Sequence, residues 1–404
     1  MTSKQVTGLK ATSGVGMMFF SNGAIFAALL PWYPLIAQRL ELTSIEFGFI
    51  VASFAVGALV SSALPAPLIA RFGATSIAVA GTLLLSASIA GASFAGAGWV
   101  LALCLFLAGF FDAIVDVAQN VAGIRVQSVI GRSIMSSMHA FWSLGALSGG
   151  VISTAVAASG VLDIKVYLML VGIFISAVVF GGAIMSQPTV SRHVANTAGK
   201  PASSDRRRVW RLALAAALPL IVIAISGTIV EDIANNWAGM AGLEIGGLPA
   251  SLAGIVFSVM VGSQCVGRFA GDLLIHRFGA VAIARVGGAL IAIGGLLVIT
   301  SGSNILTLFA GVALAGYGSA TLVPSALTAA AKIPGVNEGA GVTLVSWLMR
   351  VGFLLTSPVV GTVADNVGLR WGLSITLIVG MAVFFLSPAL REPRRNPVLA
   401  EDAS

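Results

Sequence analysis

The sequence predicts an all-α membrane protein: twelve transmembrane helices in two six-helix pseudo-symmetric bundles, with both termini cytoplasmic. Three observations predict it. Of 404 residues, 57% are hydrophobic and 9% charged, with mean hydropathy +1.01. A soluble domain carries about 25% charged residues, so this chain lacks the polar side chains to cover a water-facing surface, and a disordered chain is excluded too. Long stretches are free of charge, and the two halves of the chain repeat one another.

A helix needs about 20 apolar residues to cross the hydrocarbon. Stretches without Asp, Glu, Lys or Arg cover 11–38, 47–70, 72–111, 133–162, 166–191, 212–230, 245–267, 286–331 and 371–390. The run 72–111 holds two helices, broken between Gly91 and Gly98. The run 286–331 also holds two, broken at Ser301-Gly302-Ser303-Asn304, because Gly/Ser clusters mark turns. Spans at 98–124 and 340–363 form despite Asp112 and Asp116 in one and Arg350 in the other. The predicted helices are therefore 13–38, 46–70, 74–93, 98–124, 134–158, 164–187, 210–237, 249–272, 280–300, 304–330, 340–363 and 371–390. The first is not a cleavable signal, since its apolar core is far longer than a 7–15-residue h-region and runs into Pro31-Trp32-Tyr33-Pro34.

Positive charge orients the spans. With the N-terminus inside, the outer segments hold only Arg39, Lys165 and Arg370. Every other Lys and Arg is on the inner side except Arg350, which falls within a span. The net charge of +7 then reflects topology and contact with anionic lipids, not nucleic-acid binding. Cys104 and Cys265 lie in apolar runs, which argues against a disulfide scaffold or a cysteine metal cluster. No G-x-x-x-x-G-K-[ST], H-E-x-x-H or G-x-S-x-G occurs. An ATP-driven pump, a metalloprotease and an acyl hydrolase thus lack their parts, so no enzyme, cofactor or metal is expected.

Residues 188–208 are polar, basic and rich in Pro, Ser and Gly, the composition of a flexible cytoplasmic linker. They separate an N-terminal bundle, 1–187, from a C-terminal bundle with a short tail, 209–404. The halves repeat: LIARFGATSIAVAGTLL at 68–84 and LIHRFGAVAIARVGGAL at 274–290 are identical at ten of seventeen positions. Ala108-Gly109-Phe110 and Ala315-Gly316-Tyr317 echo each other on the fourth and tenth spans.

Twelve helices, a basic central loop and an Arg-Phe-Gly turn after the second and eighth helices resemble the major facilitator superfamily. Its signature loop, G-x-L-x-D-R-x-G-R-R, is matched at Arg71 and Gly73 and again at Arg277 and Gly279. The acid expected before Arg71 is replaced by Ala70, while Gly267 to Asp272 resembles a fuller version. Asp116 to Asn120, with Asp232 to Asn236-Trp237, resembles the fucose-permease-like bacterial branch. The resemblance implies a monomeric secondary active transporter of the plasma (inner) membrane. Two bundles would rock around a midplane site lined by the first, fourth, seventh and tenth helices. A proton would be the coupling ion, and the cargo either a sugar-like solute taken up or a drug or metabolite expelled. The rivals are a transport-inactive sensor, which the missing acid at position 70 favours, and a channel, which the scattered polar residues disfavour.

A charge near a helix centre in the bilayer costs about 2.5–3.5 kcal/mol or more, so the few such residues need a reason. Asp112 and Asp116 are four apart and share a helix face, continued by Gln119 and Asn120. Such acids suit either proton transfer or a cationic substrate, and Asp116 alternatively pairs with Arg125. Glu231 shares a face with Asn235, and Asp232 with Asn236; these either line the cavity or form a wetted helix end beside Trp237. Arg350, deep in its span, suits a bidentate carboxylate partner or a polyhydroxy substrate. Arg268 and Asp272, spaced i,i+4, form an expected cytoplasmic gate with Arg71, Gly73 and Arg277. Asn22 and Tyr317 are polar groups deep in cavity-lining spans that either bond substrate or a neighbouring helix, and His139 with Trp142, near the cytoplasm, either titrates or is simply packed.

Overall fold

The structure is a computed structural model that describes residues 3–131, 134–186, 206–333 and 338–391. Its regular elements are all helical. The first bundle comprises α1 (Ser3–Leu29, prolonged through Leu30–Trp32 and Tyr33–Arg39), α2 (Ser44–Ser61, then Pro65–Phe72), α3 (Ala74–Ala92), α4 (Gly98–Ile130), α5 (Met135–Ser159) and α6 (Ile164–Ser186). The second comprises α7 (Arg206–Asp232, prolonged to Glu244), α8 (Ile255–Phe278), α9 (Ala280–Thr300), α10 (Ile305–Ser319, then Leu322–Ala330), α11 (Glu338–Val367) and α12 (Leu369–Gly372 with Ile375–Leu386). Among the described residues, eleven helices are long and apolar enough to cross a membrane. The twelfth, α8, has a shorter apolar part, Ile255–Gly271.

Most differences from the sequence expectation lie at breaks and ends. The second span, expected to run unbroken over 46–70, stops at Ser61 and restarts at Pro65, which stands where a helix start needs no N–H. The tenth breaks between Ser319 and Leu322. The seventh passes its expected end at 237 through a π-turn, Ile233–Trp237, to Glu244. The expected linker, 188–208, lies outside the described residues up to 205.

Helix packing repeats between halves. α1 packs on α5 and α6, as α7 packs on α11 and α12; α4 packs on α2 and α3, as α10 packs on α8 and α9. The halves meet along two seams, α2 with α11 and α5 with α8. Lipid offers no hydrophobic drive between helices, so close backbone approach over small residues supplies the contact. At Gly23 a Cβ would strike the Trp142 carbonyl, and at Gly145 the Phe20 carbonyl, which locks α1 to α5. Gly57 and Gly109 do the same between α2 and α4, against the carbonyls of Phe106 and Phe54.

Three helix junctions share one backbone turn. Gly73 (φ 85°, ψ 150°), Gly279 (φ 83°, ψ 152°) and Gly368 (φ 96°, ψ 151°) close α2, α8 and α11 respectively and start the next helix. A positive φ of that kind is open to glycine at little cost. The Arg-Phe-Gly repeat is thus a repeated backbone shape. Gly109→Leu is expected to cost at least about 1–3 kcal/mol through overpacking, seen as a lowered Tm of the detergent-solubilised protein.

Candidate functional site

Among the described residues, two clusters of polar side chains hold the candidate acids. The first crosses from one half to the other. On α1, Asn22 donates from Nδ2 to Asp112 Oδ1 of α4 at 2.8 Å and accepts from Trp142 Nε1 of α5 at 2.6 Å. The Arg268 guanidinium of α8 lies over the Trp142 ring, 6.0 Å from its centre. Arg268 Nη1 donates to Ser143 Oγ of α5 at 3.1 Å, and Nη2 donates to Glu231 Oε1 of α7 at 3.2 Å. A continuous polar path therefore runs Asp112, Asn22, Trp142, Arg268, Glu231 through helices of both halves.

Asp116 stands one turn from Asp112 on α4 and is exposed. Its Oδ1 accepts from Asn120 Nδ2 at 3.1 Å, and that same amide also bonds the Asp116 carbonyl at 2.8 Å. His139 of α5 and Arg350 of α11 both lie within electrostatic reach of Asp116. Asp112, Asp116 and Asn120 share the expected face, and Gln119 beside them is wholly buried.

The second cluster lies where α7 meets α11. Asp232 is 5% exposed; it accepts from Ser357 Oγ at 2.5 Å and from Asn236 Nδ2 at 2.9 Å. Ser357 Oγ in turn accepts from Trp237 Nε1 at 3.0 Å. Trp237 is 0% exposed, so it is no interfacial aromatic. The Phe47 ring of α2 packs edge-on against Trp237, and Tyr33, in the prolongation of α1, packs edge-on against Phe47. The π-turn at Ile233–Trp237 follows these acids directly. Such turns concentrate at functional sites.

The expected residues are thus partly brought together. Asn22, Asp112, Glu231 and Arg268 join one path; Asp116, Asn120 and Arg350 stand beside it; Asp232 and Asn236 form the second cluster. The structure gives Arg268 the cross-helix partner Glu231, and the side chain of Asp272 lies outside the described residues. Tyr317 lines a different space, an apolar groove of about 350 Å³ between α8, α9 and α10 that also touches Gly267, Phe278 and Leu290. Arg71 and Arg277 sit at the helix ends before the Gly73 and Gly279 turns, each over the next aromatic ring, Phe72 at 5.1 Å and Phe278 at 5.3 Å. Trp142, Ser143 and Ser357 were not expected as site residues. The signal for Trp142 was a large donor in the first turns of the fifth span, beside His139; Ser143 and Ser357 carried none.

A helical bundle with buried charges at its centre, joined across two repeated halves, defines a membrane transporter rather than an enzyme. The Major Facilitator Superfamily profile matches residues 15–301, and the chain belongs to that family as a multi-pass protein of the plasma membrane. It is 27% identical to an uncharacterized transporter, y4wD, of Sinorhizobium fredii, over 94% of this chain and 98% of the relative. It is 25% identical to the membrane protein MosC of Rhizobium meliloti, over 92% and 88%. The fold resembles a mutant form of the nucleoside transporter NupG, with TM-score 0.71, 13% identity and 94% and 98% coverage. It also resembles a bacterial homolog of the human lysosomal transporter Spinster in an inward-facing state, with TM-score 0.66, 13% identity and 96% and 99% coverage.

Removing one member of a half-buried ion pair leaves a charge without its partner, which costs more than removing both. Arg268→Met is expected to cost about 1–3 kcal/mol, discounted from a fully buried pair because both side chains keep some exposure. Adding Glu231→Gln should recover part of that loss, read as Tm in a double-mutant cycle.

Proposed function

We propose that the chain is a secondary active transporter, working by alternating access and coupled to protons, for a small hydrogen-bonding solute of the sugar-like kind. The observation that carries this reading is Asp112: a carboxylate on a membrane-spanning helix whose bonded partner is a neutral amide. Glu231, by contrast, is already committed to Arg268. An acid with a neutral partner is free to take up a proton in one conformation. It can release that proton in another, where water or a cation reaches it. Asp116, one turn away and within reach of His139 and Arg350, is the next position for the same proton. The lysine- and arginine-rich face is taken as cytoplasmic.

The solute class follows from what surrounds the path. Asn120, His139 and the ring of Trp142 keep some exposure and offer an amide, an imidazole and a flat face, a set that suits hydroxyl-bearing solutes rather than lipophilic ones. The similarity of fold to a nucleoside transporter is consistent with a small polar cargo. No specific feature favours export.

Asp112→Asn keeps the bond to Asn22 but removes the titratable group. In proteoliposomes carrying a pH gradient, that variant is expected to lose gradient-driven accumulation at least tenfold. Exchange of solute at equal pH on both sides should persist. Gradient-driven accumulation equal to that of the parent, with the same pH dependence, would overturn the proton role.

A further inference from the structure

The first four N–H groups of a helix have no acceptor within it. In α2 all four find one, and two find it in the other half of the chain. Ser44 N donates to Asp365 Oδ1 at 2.8 Å, and Ile45 N donates to Asp365 Oδ2 at 3.2 Å. Glu46 N donates to Thr43 Oγ1 at 3.3 Å, and Thr43 N donates to Glu46 Oε2 at 2.9 Å, a capping box. Asp365 belongs to the last turn of α11, 321 residues from Ser44. Its negative charge also sits at the positive end of the α2 dipole.

Among the described residues, the contact lies on one side of the membrane. Asp365 stands three residues before Gly368, in the third copy of the shared turn. The corresponding positions before Gly73 and Gly279 are Ala70 and His276. The acid absent from both turns on the basic face is therefore present in the turn on the opposite face. Backbones approach closely there: a Cβ on Gly361 would strike the Ser44 carbonyl, and one on Gly48 the Ser357 carbonyl.

We infer that Asp365 is a gate residue, the outer latch of the transport cycle: its carboxylate caps α2 across the α2–α11 seam and holds the outer side shut. Because the cap is exposed, water replaces it when the seam parts, so the latch is weak enough to open in every cycle. The one-sided placement biases the resting protein toward an outer-closed form. This inference rests on the alternating-access reading above, but its readout is distance, not pH or transport.

The test places nitroxide labels at Val161→Cys and Leu306→Cys, exposed sites near the outer ends of the two halves, with Cys104 and Cys265 replaced by Ser. Electron–electron resonance in nanodiscs reads the outer separation. A lost helix cap corresponds to roughly a 2- to 30-fold change in an equilibrium ratio. Asp365→Ala is therefore expected to raise the ratio of long to short outer distances by that factor. Asp365→Asn keeps an acceptor without the charge; it should show a smaller rise and carries the test if the alanine variant fails to fold. Gly361→Trp, which wedges the same seam, serves as the control. If Gly361→Trp lengthens the distance while both Asp365 variants match the parent, the latch is overturned and alternating access stands. If no variant moves it, both readings fall.

Discussion

A charge placed in hydrocarbon must find its partner inside the protein or be expelled from the membrane. The interior of this bundle is organised by that constraint. Arg268 satisfies it through Glu231 and Ser143 and by lying over the Trp142 ring. Asp232 satisfies it through Ser357 and Asn236, and Asp112 through Asn22. None of these partnerships is made within one helical turn except that of Asp232 with Asn236. Satisfying the charges therefore also ties α1 to α4 and α5, α7 to α11, and α8 to both α5 and α7.

The two polar clusters are built on a similar plan. In each, an indole N–H donates to a small polar side chain that also bonds an aspartate: Trp142 to Asn22 to Asp112 in one, Trp237 to Ser357 to Asp232 in the other. The plan differs in its surroundings. The Asp232 cluster is enclosed by Tyr33, Phe47 and Trp237, with only neutral groups bonded to it. The Asp112 cluster continues through Trp142 to Arg268 and so reaches the other half. One is enclosed by aromatic rings; the other is joined to a pair of charges.

The number and order of the helices were legible in the sequence because they depend on composition. The Arg-Phe-Gly repeat was legible for the same kind of reason: a local backbone shape needs a local residue, and Gly73 and Gly279 supply it. The candidate acids were legible because charge in an apolar run is conspicuous. Their partners were not. Asn22 and Trp142 are 120 residues apart and Asp232 and Ser357 are 125 apart, and no local pattern records such pairings. Spacing suggested Asp272 as the partner of Arg268, since i,i+4 is the contact a single helix can offer; Glu231 on a neighbouring helix is the one the structure describes. Asp365 went unnoticed because it looked like an ordinary polar residue at a helix end, although Ala364-Asp365 three before Gly368 repeats the signature more fully than Ala70 does.

Glu231 and Asp232 are separated by one peptide bond, yet they serve different clusters. Glu231 faces the charged centre, and Asp232 faces the closed aromatic side where α2 and α11 press together. A rigid helix cannot turn one without turning the other. Under the alternating access proposed above, a roll of α7 that draws Glu231 from Arg268 would also swing Asp232 against Ser357, gearing what fills the middle of the protein to how tightly its far side is shut.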